Sequence, residues 1–198
     1  MSELEVVHSS ISTCEKCGLC RGRTHAVPGE GPGNAKIVFI GEGPGFYEDQ
    51  QGRPFVGPAG KVLEELLATI HLKRSDVYIT NIIKCRAPGN RDPLPGEIDA
   101  CSDWLDRQLE LIAPRMIVTL GRYSMARFFP KQTISKIHGT AKKQDGYIIY
   151  AMYHPAAALH QQGLRNAIIE DMKKIPRILA EADEIPEEEQ QPEQLSMF

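Results

Sequence analysis

The chain has 198 residues, a hydrophobic fraction of 41% and a formal net charge of −3, which fits one domain with a real core and excludes a disordered or strongly basic protein. No apolar run approaches the ~18 residues of a membrane span. The opening MSELEVVHSS is neither basic nor followed by an apolar stretch, so no signal peptide is read and a cytoplasmic protein is expected.

Residues 1–13 predict a short helix ending near Ser12–Thr13. Cys14-Glu15-Lys16-Cys17 is a CxxC, with Cys20 close behind. Residues 21–34 hold Gly, Pro and basic residues and read as a loop, with His25 solvated in it. The run 36–41 is β-branched and apolar, and predicts a buried strand. It stops at Gly41-Glu42-Gly43-Pro44-Gly45, a sharp loop in which backbone approaches a ligand closely. This is not the dinucleotide fingerprint, because Gly45 falls too early and no helix is expected to start there; nor is it a phosphate loop. Glu48 and Asp49 follow, then Phe55 inside Pro54-Phe55-Val56-Gly57.

Helical spacing of Val62, Leu63, Leu66, Leu67 and Ile70 predicts a helix over about 59–71. Residues 76–81 read as a second strand and 84–93 as a loop. A helix from Pro95 through Leu111 carries Ile98, Cys101, Leu105 and Leu109 on one stripe. A third strand covers 116–121, a short helix 122–129, and a fourth strand 147–153; the polar stretch 131–146 predicts no element. The fourth strand runs into His154-Pro155-Ala156-Ala157-Ala158-Leu159. The last helix spans about 163–182, with Pro176 as a kink or break. Residues 1–180 thus read as the folded body. Residues 181–198 form a tail with seven acidic side chains and no Lys or Arg, a composition that predicts disorder. Removing the tail's charge leaves a mildly basic body, which permits nucleic-acid binding without requiring it. Strands alternating with helices imply a parallel sheet covered on both faces. The loops after Ile40, Ile79 and Tyr153 then share the edge where open α/β sheets bind ligands.

All five cysteines lie at or before position 101, and clustered cysteines in a cytosolic protein point to metal or redox chemistry rather than disulfides. Cys14, Cys17, Cys85 and Cys101 offer four thiolates, enough for tetrahedral zinc or a cubane cluster. Their spacing lacks the second CxxC of a zinc ribbon. Cys20 reads as a small core thiol, and buried core cysteine is the plain alternative for Cys85 and Cys101 as well. Phe55 is either a core plug or a stacking platform for a flat ligand. Asn81 either caps a turn or presents one acceptor and two donors, a set that matches N3–H and O4 of uracil and mismatches cytosine. His154 is either a turn residue or an N–H donor aimed at a developing anion.

Gly41-Glu42-Gly43-Pro44-Gly45 with Glu48-Asp49, Gly52-Arg53-Pro54-Phe55-Val56-Gly57, Asn81 with Lys84-Cys85-Arg86, and His154-Pro155-Ala156 together resemble the family 4, iron–sulfur uracil-DNA glycosylases. The resemblance runs from about Cys14 to Leu179. It implies an α/β/α sandwich around a four-stranded parallel sheet and a [4Fe–4S] cluster on Cys14, Cys17, Cys85 and Cys101. It implies a repair enzyme that flips uracil out of single- or double-stranded DNA and hydrolyses its glycosidic bond, working as a nucleoid-associated monomer. Gly41 and Gly43 would line the substrate loop; Phe55 would stack on uracil and Asn81 read its edge. His154 would stabilise charge on O2, Glu42 hold the water, and Glu48 wall off C5. Leu159 would wedge into the gap left in the duplex, with Arg122, Arg165, Lys142 and Lys143 as phosphate contacts. The usual family loop has Ala in place of Gly43. The water-positioning aspartate of some relatives is absent, and Glu42 is its nearest substitute. No insertion rich in Arg and His follows Asn90, which argues against the branch that bonds covalently to the abasic sugar.

The ending Gln194-Leu195-Ser196-Met197-Phe198 resembles the pentapeptide by which bacterial repair proteins bind the sliding clamp, with Gln194, Leu195, Met197 and Phe198 as its contacts. Two rival readings are a DNA-binding adapter with a metal staple, which leaves Phe55, Asn81 and His154 unexplained, and a glycosylase for hypoxanthine, which the Asn81 edge code serves poorly.

Overall fold

The computed structural model describes residues 2–182 and residue 185; the clamp-like ending, with most of the acidic tail, lies outside them. A five-stranded sheet has the order β2-β1-β3-β5-β4, with β1 at Ile37–Gly41, β2 at Tyr78–Asn81, β3 at Met116–Leu120, β4 at Ala141–Gln144 and β5 at Tyr147–Met152. The first four in that order pair parallel, whereas β4 pairs antiparallel with β5. The expected four-stranded parallel sheet is therefore corrected to five strands with one antiparallel edge. β4 is Ala-Lys-Lys-Gln and half-buried along its length. Charged residues blunt an edge strand against stray pairing, and they also erase the apolar alternation by which a strand is read. Asp145 and Gly146 both have positive φ, 52° and 79°, as a two-residue hairpin turn requires.

Alternate residues of each central strand point to opposite faces. Ile37 and Phe39 of β1 pack with Val62, Leu63, Leu66 and Leu67 of α3 (Pro58–Ala68) and with Ile168, Met172 and Ile175 of the last helix, Gln162–Ala180. Val38 and Ile40 pack with Cys101, Leu105 and Leu109 of α4 (Pro95–Ile112). The sheet is thus covered on both faces, as expected. The first helix, α1 (Glu3–Ser12), lies on α4 and opens with a capping box of Ser2 and Glu5, which satisfies two otherwise unpaired backbone donors. The last helix continues through Pro176 to Ala180. The missing backbone donor costs one intrahelical bond, and the fully buried Met172 and Ile175 hold that turn on the sheet.

A further difference bears on the site. A six-residue helix, α2 (Phe46–Gln51), begins at the glycine loop with Gly45 as its N-cap, where none was expected. Six residues are too few to display a helical period. Inside the β2 end, the buried Lys84 ammonium donates to Thr80 Oγ1 at 2.6 Å, Asn81 O at 2.8 Å and Gln108 Oε1 at 2.7 Å. Burial pushes its pKa down to about 7. Gln108 Nε2 donates to Tyr78 Oη at 2.9 Å, which leaves the Tyr78 hydroxyl proton for His8 Nε2 at 2.7 Å. Burial, chiefly, holds the His8 pKa below its usual value, consistent with a neutral ring accepting there. One oriented polar line therefore runs from Asn81 to α1.

Candidate active site

The C-terminal ends of β1, β2 and β5 surround a cavity of about 420 Å³ lined by Glu42, Gly43, Glu48, Phe55, Asn81, His154 and Leu159 among others. These residues are spread over more than a hundred positions of sequence, and each was singled out from it. Their loops are tied together by backbone bonds. Ile82 N donates to Gly41 O at 3.0 Å and Ile83 N to Glu42 O at 3.1 Å, so the glycine loop rides on the extension of β2.

Gly41 does not line the cavity but permits it. A Cβ there would lie 2.4 Å from Asn81 Oδ1 and 2.6 Å from Phe55 Cζ, distances that side chains do not tolerate. At Gly43 a Cβ would fall 2.6 Å from Ile83 Cγ1, so an alanine here would require Ile83 to move. Asn81 is 2% exposed, and among the described residues its side-chain amide has no hydrogen-bond partner. Its backbone carbonyl is held by Lys84. The amide of a buried Asn left open to a cavity is available to a ligand.

Phe55 is 5% exposed and adopts φ 51°, a left-handed conformation uncommon for a bulky residue. Three groups hold it. Glu48 Oε1 accepts from Val56 N at 3.0 Å and Gly57 N at 2.9 Å. Arg74 donates to Phe55 O at 2.9 Å and also to Pro54 O. Gly60 leaves room for the Phe55 carbonyl, which a Cβ would strike at 1.8 Å. Glu48 is thus the fastener of the Phe55 loop as well as part of the wall. Asp49, its neighbour, is 2% exposed and accepts from Thr24 N at 2.8 Å, a structural role. His25 is exposed as expected, although its Nδ1 lies 3.0 Å from Asp49 O.

The His154 ring stacks on Phe55 with centroids 5.5 Å apart and an interplanar angle of 25°. Its Nδ1 accepts from Ala156 N at 3.1 Å, which puts the ring proton on Nε2. Burial pushes its pKa down to about 4, and the Glu48 carboxylate offsets this only in part. The ring is neutral near pH 7 and presents one N–H. Glu42 is raised above its usual 4.5 by burial first and by Asp92 second, with Arg122 opposing.

The expected phosphate contacts stand apart from the cavity lining. Arg122 pairs with Asp92 at 2.5 Å, Arg165 with Glu65 at 2.8 Å, and Lys142 lies over the Phe129 ring at 4.7 Å. Exposed ion pairs of this kind are worth little. Arg91 lines the cavity and forks onto Glu97 at 2.6 and 2.9 Å. It was not singled out from sequence, where only its place in the loop after β2 marks it.

The cysteines gather on the α4 face. Cys85 and Cys101 are buried in one apolar cluster, and Cys17 packs on that cluster. Arg23 Nη1 donates to Cys85 Sγ at 3.1 Å, and Trp104 Nε1 to Cys14 Sγ at 3.2 Å. Burial pushes the Cys85 thiol up and the Cys101 thiol to about 11. Among the described residues no three His, Cys, Asp or Glu side chains are arranged to hold a single metal ion. In a cubane cluster each thiolate binds a different iron, so its sulfurs stand further apart than ligands sharing one ion. The buried Cys85 and the half-buried Cys14 each receive an N–H donor, which suits such a group.

A sequence model of the Uracil DNA glycosylase superfamily matches residues 28–173. The chain is 48% identical over 185 residues to the type-4 uracil-DNA glycosylase of Sulfurisphaera tokodaii, covering 88% of this chain and 84% of that one. It is 46% identical to the type-4 uracil-DNA glycosylase of Archaeoglobus fulgidus, over 88% and 92% of the two chains. Identity to the type-4 uracil-DNA glycosylase of Saccharolobus solfataricus is 44%, over 91% and 88%.

Proposed function

We infer the chemistry of this chain from its family: it belongs to the uracil DNA glycosylase superfamily, and within it to the type-4 uracil-DNA glycosylases. It is a DNA-repair hydrolase that removes uracil and leaves an abasic site. The observation that carries the mechanism is the convergence of Phe55, Asn81, His154 and Glu42 on one cavity at the sheet edge.

The C1′–N1 bond is out of reach in a stacked duplex, so the nucleotide must swing into the cavity. Phe55 lies against the base, and the open Asn81 amide pairs with N3–H and O4. Loop and ring are already fixed by Glu48 and Arg74, so little ordering is left for the substrate to impose. As C1′–N1 breaks, its electron pair passes into the ring of the leaving uracil. The neutral His154 donates its Nε2–H to O2 where negative charge gathers, a donor held in place before the reaction. Water held by the Glu42 carboxylate, whose charge favours the sugar cation, adds to C1′ and gives its proton to that carboxylate, from which it passes through solvent to the uracil anion. Leu159 fills the space left in the stack, and Arg122, Arg165 and Arg91 contact phosphates. The body, residues 1–180, is the glycosylase domain. Cys14, Cys17, Cys85 and Cys101 would hold a [4Fe–4S] cluster, which would tie the segment after α1 to the loop after β2 and to α4 and would have no part in breaking the bond.

Asn81→Asp tests this reading. An ionised carboxylate would set acceptor against acceptor at O4, and excision from single-stranded uracil DNA should fall about tenfold or more. An unchanged kcat/KM would remove Asn81 as the reader. The pH profile tests Glu42 separately. Only its ionised form serves, so kcat/KM should fall with acid through an apparent pKa above 4.5, the usual value. His154 gains its proton only near pH 4, below that limb. Glu42→Gln should abolish the limb along with most activity, and a limb that persists in this variant assigns it to another group.

The ending Gln194, Leu195, Met197 and Phe198 is a clamp ligand on a charged leash in this reading, a tether that raises local enzyme concentration. Titrating clamp with the full chain and with one ending at Glu193 should show binding only by the former; equal binding by both refutes the tail motif.

A further inference from the structure

Among the described residues five large apolar side chains stand exposed: Val6, Phe46, Tyr47, Leu94 and Leu159. All but Val6 line the active-site cavity or directly adjoin a residue that does. Leu159 lines it, Leu94 follows the lining Pro93, and Phe46 follows the lining Gly45. Tyr47 Cδ2 approaches to 3.3 Å of where a Cβ on Gly57 would sit, beside the lining Pro58. Phe46 and Tyr47 meet edge to face, with centroids 5.6 Å apart and planes at 80°. The Arg86 guanidinium stands over the Phe46 ring at 5.2 Å and is steered by Asn90 Oδ1 at 2.7 Å. Apolar groups left bare and concentrated at one opening mark a binding surface. Its chemistry is two aromatic rings and a cation, beside a cavity shaped for one base. That combination suits an unstacked nucleotide: the base lies on a ring and the phosphate meets the guanidinium.

We propose that Phe46 and Tyr47 form a stacking platform for the unpaired nucleotide next to the excised uracil on the same strand, with Arg86 taking its phosphate. This rests on the glycosylase reading above. The sheet order puts α2, after β1, and Leu159, after β5, on either side of β3. The flipped nucleotide therefore has a fixed apolar contact towards each end of that row. The platform works on bases already free of a partner, so it favours single-stranded or locally melted DNA.

The test uses the full-length protein and the variants F46A/Y47A, F46W and F46L. All alter exposed side chains outside the catalytic set. Anisotropy with a uracil-free single strand should show about a tenfold loss of affinity for F46A/Y47A. In turnover on single-stranded uracil DNA this variant should raise KM and leave kcat unchanged, as loss of uniform binding does. F46W should bind like wild type, and F46L should not. A 2-aminopurine placed beside a stable abasic-site analogue should be quenched by wild type and not by F46A/Y47A. Wild-type protein that releases no uracil overturns the glycosylase reading and the platform together. Wild type that releases uracil, with F46A/Y47A binding and turning over equally well, overturns the platform alone. So does F46L matching Phe46, because a leucine has apolar area but no ring face.

Discussion

Replacing His154 by alanine should lower the rate of uracil release about 100- to 1,000-fold, the range found when a single preorganised donor is removed from a developing anion. The effect should fall on kcat, with KM little changed, because O2 of bound uracil carries far less charge than O2 of the departing base. The tautomer supplies a sharper test than the size of the loss. Ala156 N feeds Nδ1, so the wild-type ring should remain neutral across pH 5–8, with its proton on Nε2. Nitrogen-15 shifts of His154 report this directly. A ring that is cationic at pH 7, or protonated on Nδ1, would contradict the assignment. Folding should survive the substitution, since the side chain borders a cavity instead of filling the core.

The second large effect concerns the thiols. Cys85→Ala or Cys101→Ala should lose the brown colour and most of the soluble yield, whereas Cys20→Ala should keep both. Buried thiols held protonated by their surroundings must give up protons to bind metal, so that metal binding and folding are one equilibrium. Cys85→Ala also leaves the Arg23 donor without its sulfur, and either variant leaves the remaining thiols one ligand short. The purified protein should contain iron and show a broad visible band. A colourless protein with about one zinc per chain would replace the cluster by a single tetrahedral ion.

Much of the architecture could be read from the chain because its signals are local. The apolar runs ending at Gly41 and Asn81 and the stripe Cys101, Leu105, Leu109 say strand and helix without reference to anything distant. The residues of the cavity were readable for a related reason, since strand ends in a parallel sheet share an edge. What escaped depends on aim. Glu48 appeared as a wall, and its bonds to Val56 and Gly57 emerge only once the short α2 points it at the Phe55 loop. β4 hid behind its lysines, although Asp145-Gly146 ahead of an apolar run is a hairpin signal. Lys84 looked like one more loop cation. Its burial follows from where β2 ends, between the core of one face and the side chain of Gln108, and no local pattern announces that.

The polar line from Asn81 through Lys84, Gln108 and Tyr78 to His8 sets how far the chain can be trimmed. α1 contributes no residue to the cavity, and a chain beginning after Thr13 keeps every group assigned to uracil and the four thiols proposed to hold the cluster. Such a chain nevertheless strips the Tyr78 hydroxyl of its acceptor and uncovers Trp104, which packs with Val7 and Ile11. The loss would be felt at Asn81 through an ammonium whose neighbours have loosened, some seventy residues along the sequence from the cut. The smallest fully active chain should therefore begin at the first helix, and an amino-terminal fusion should need a spacer long enough to leave Ser2 free to cap it.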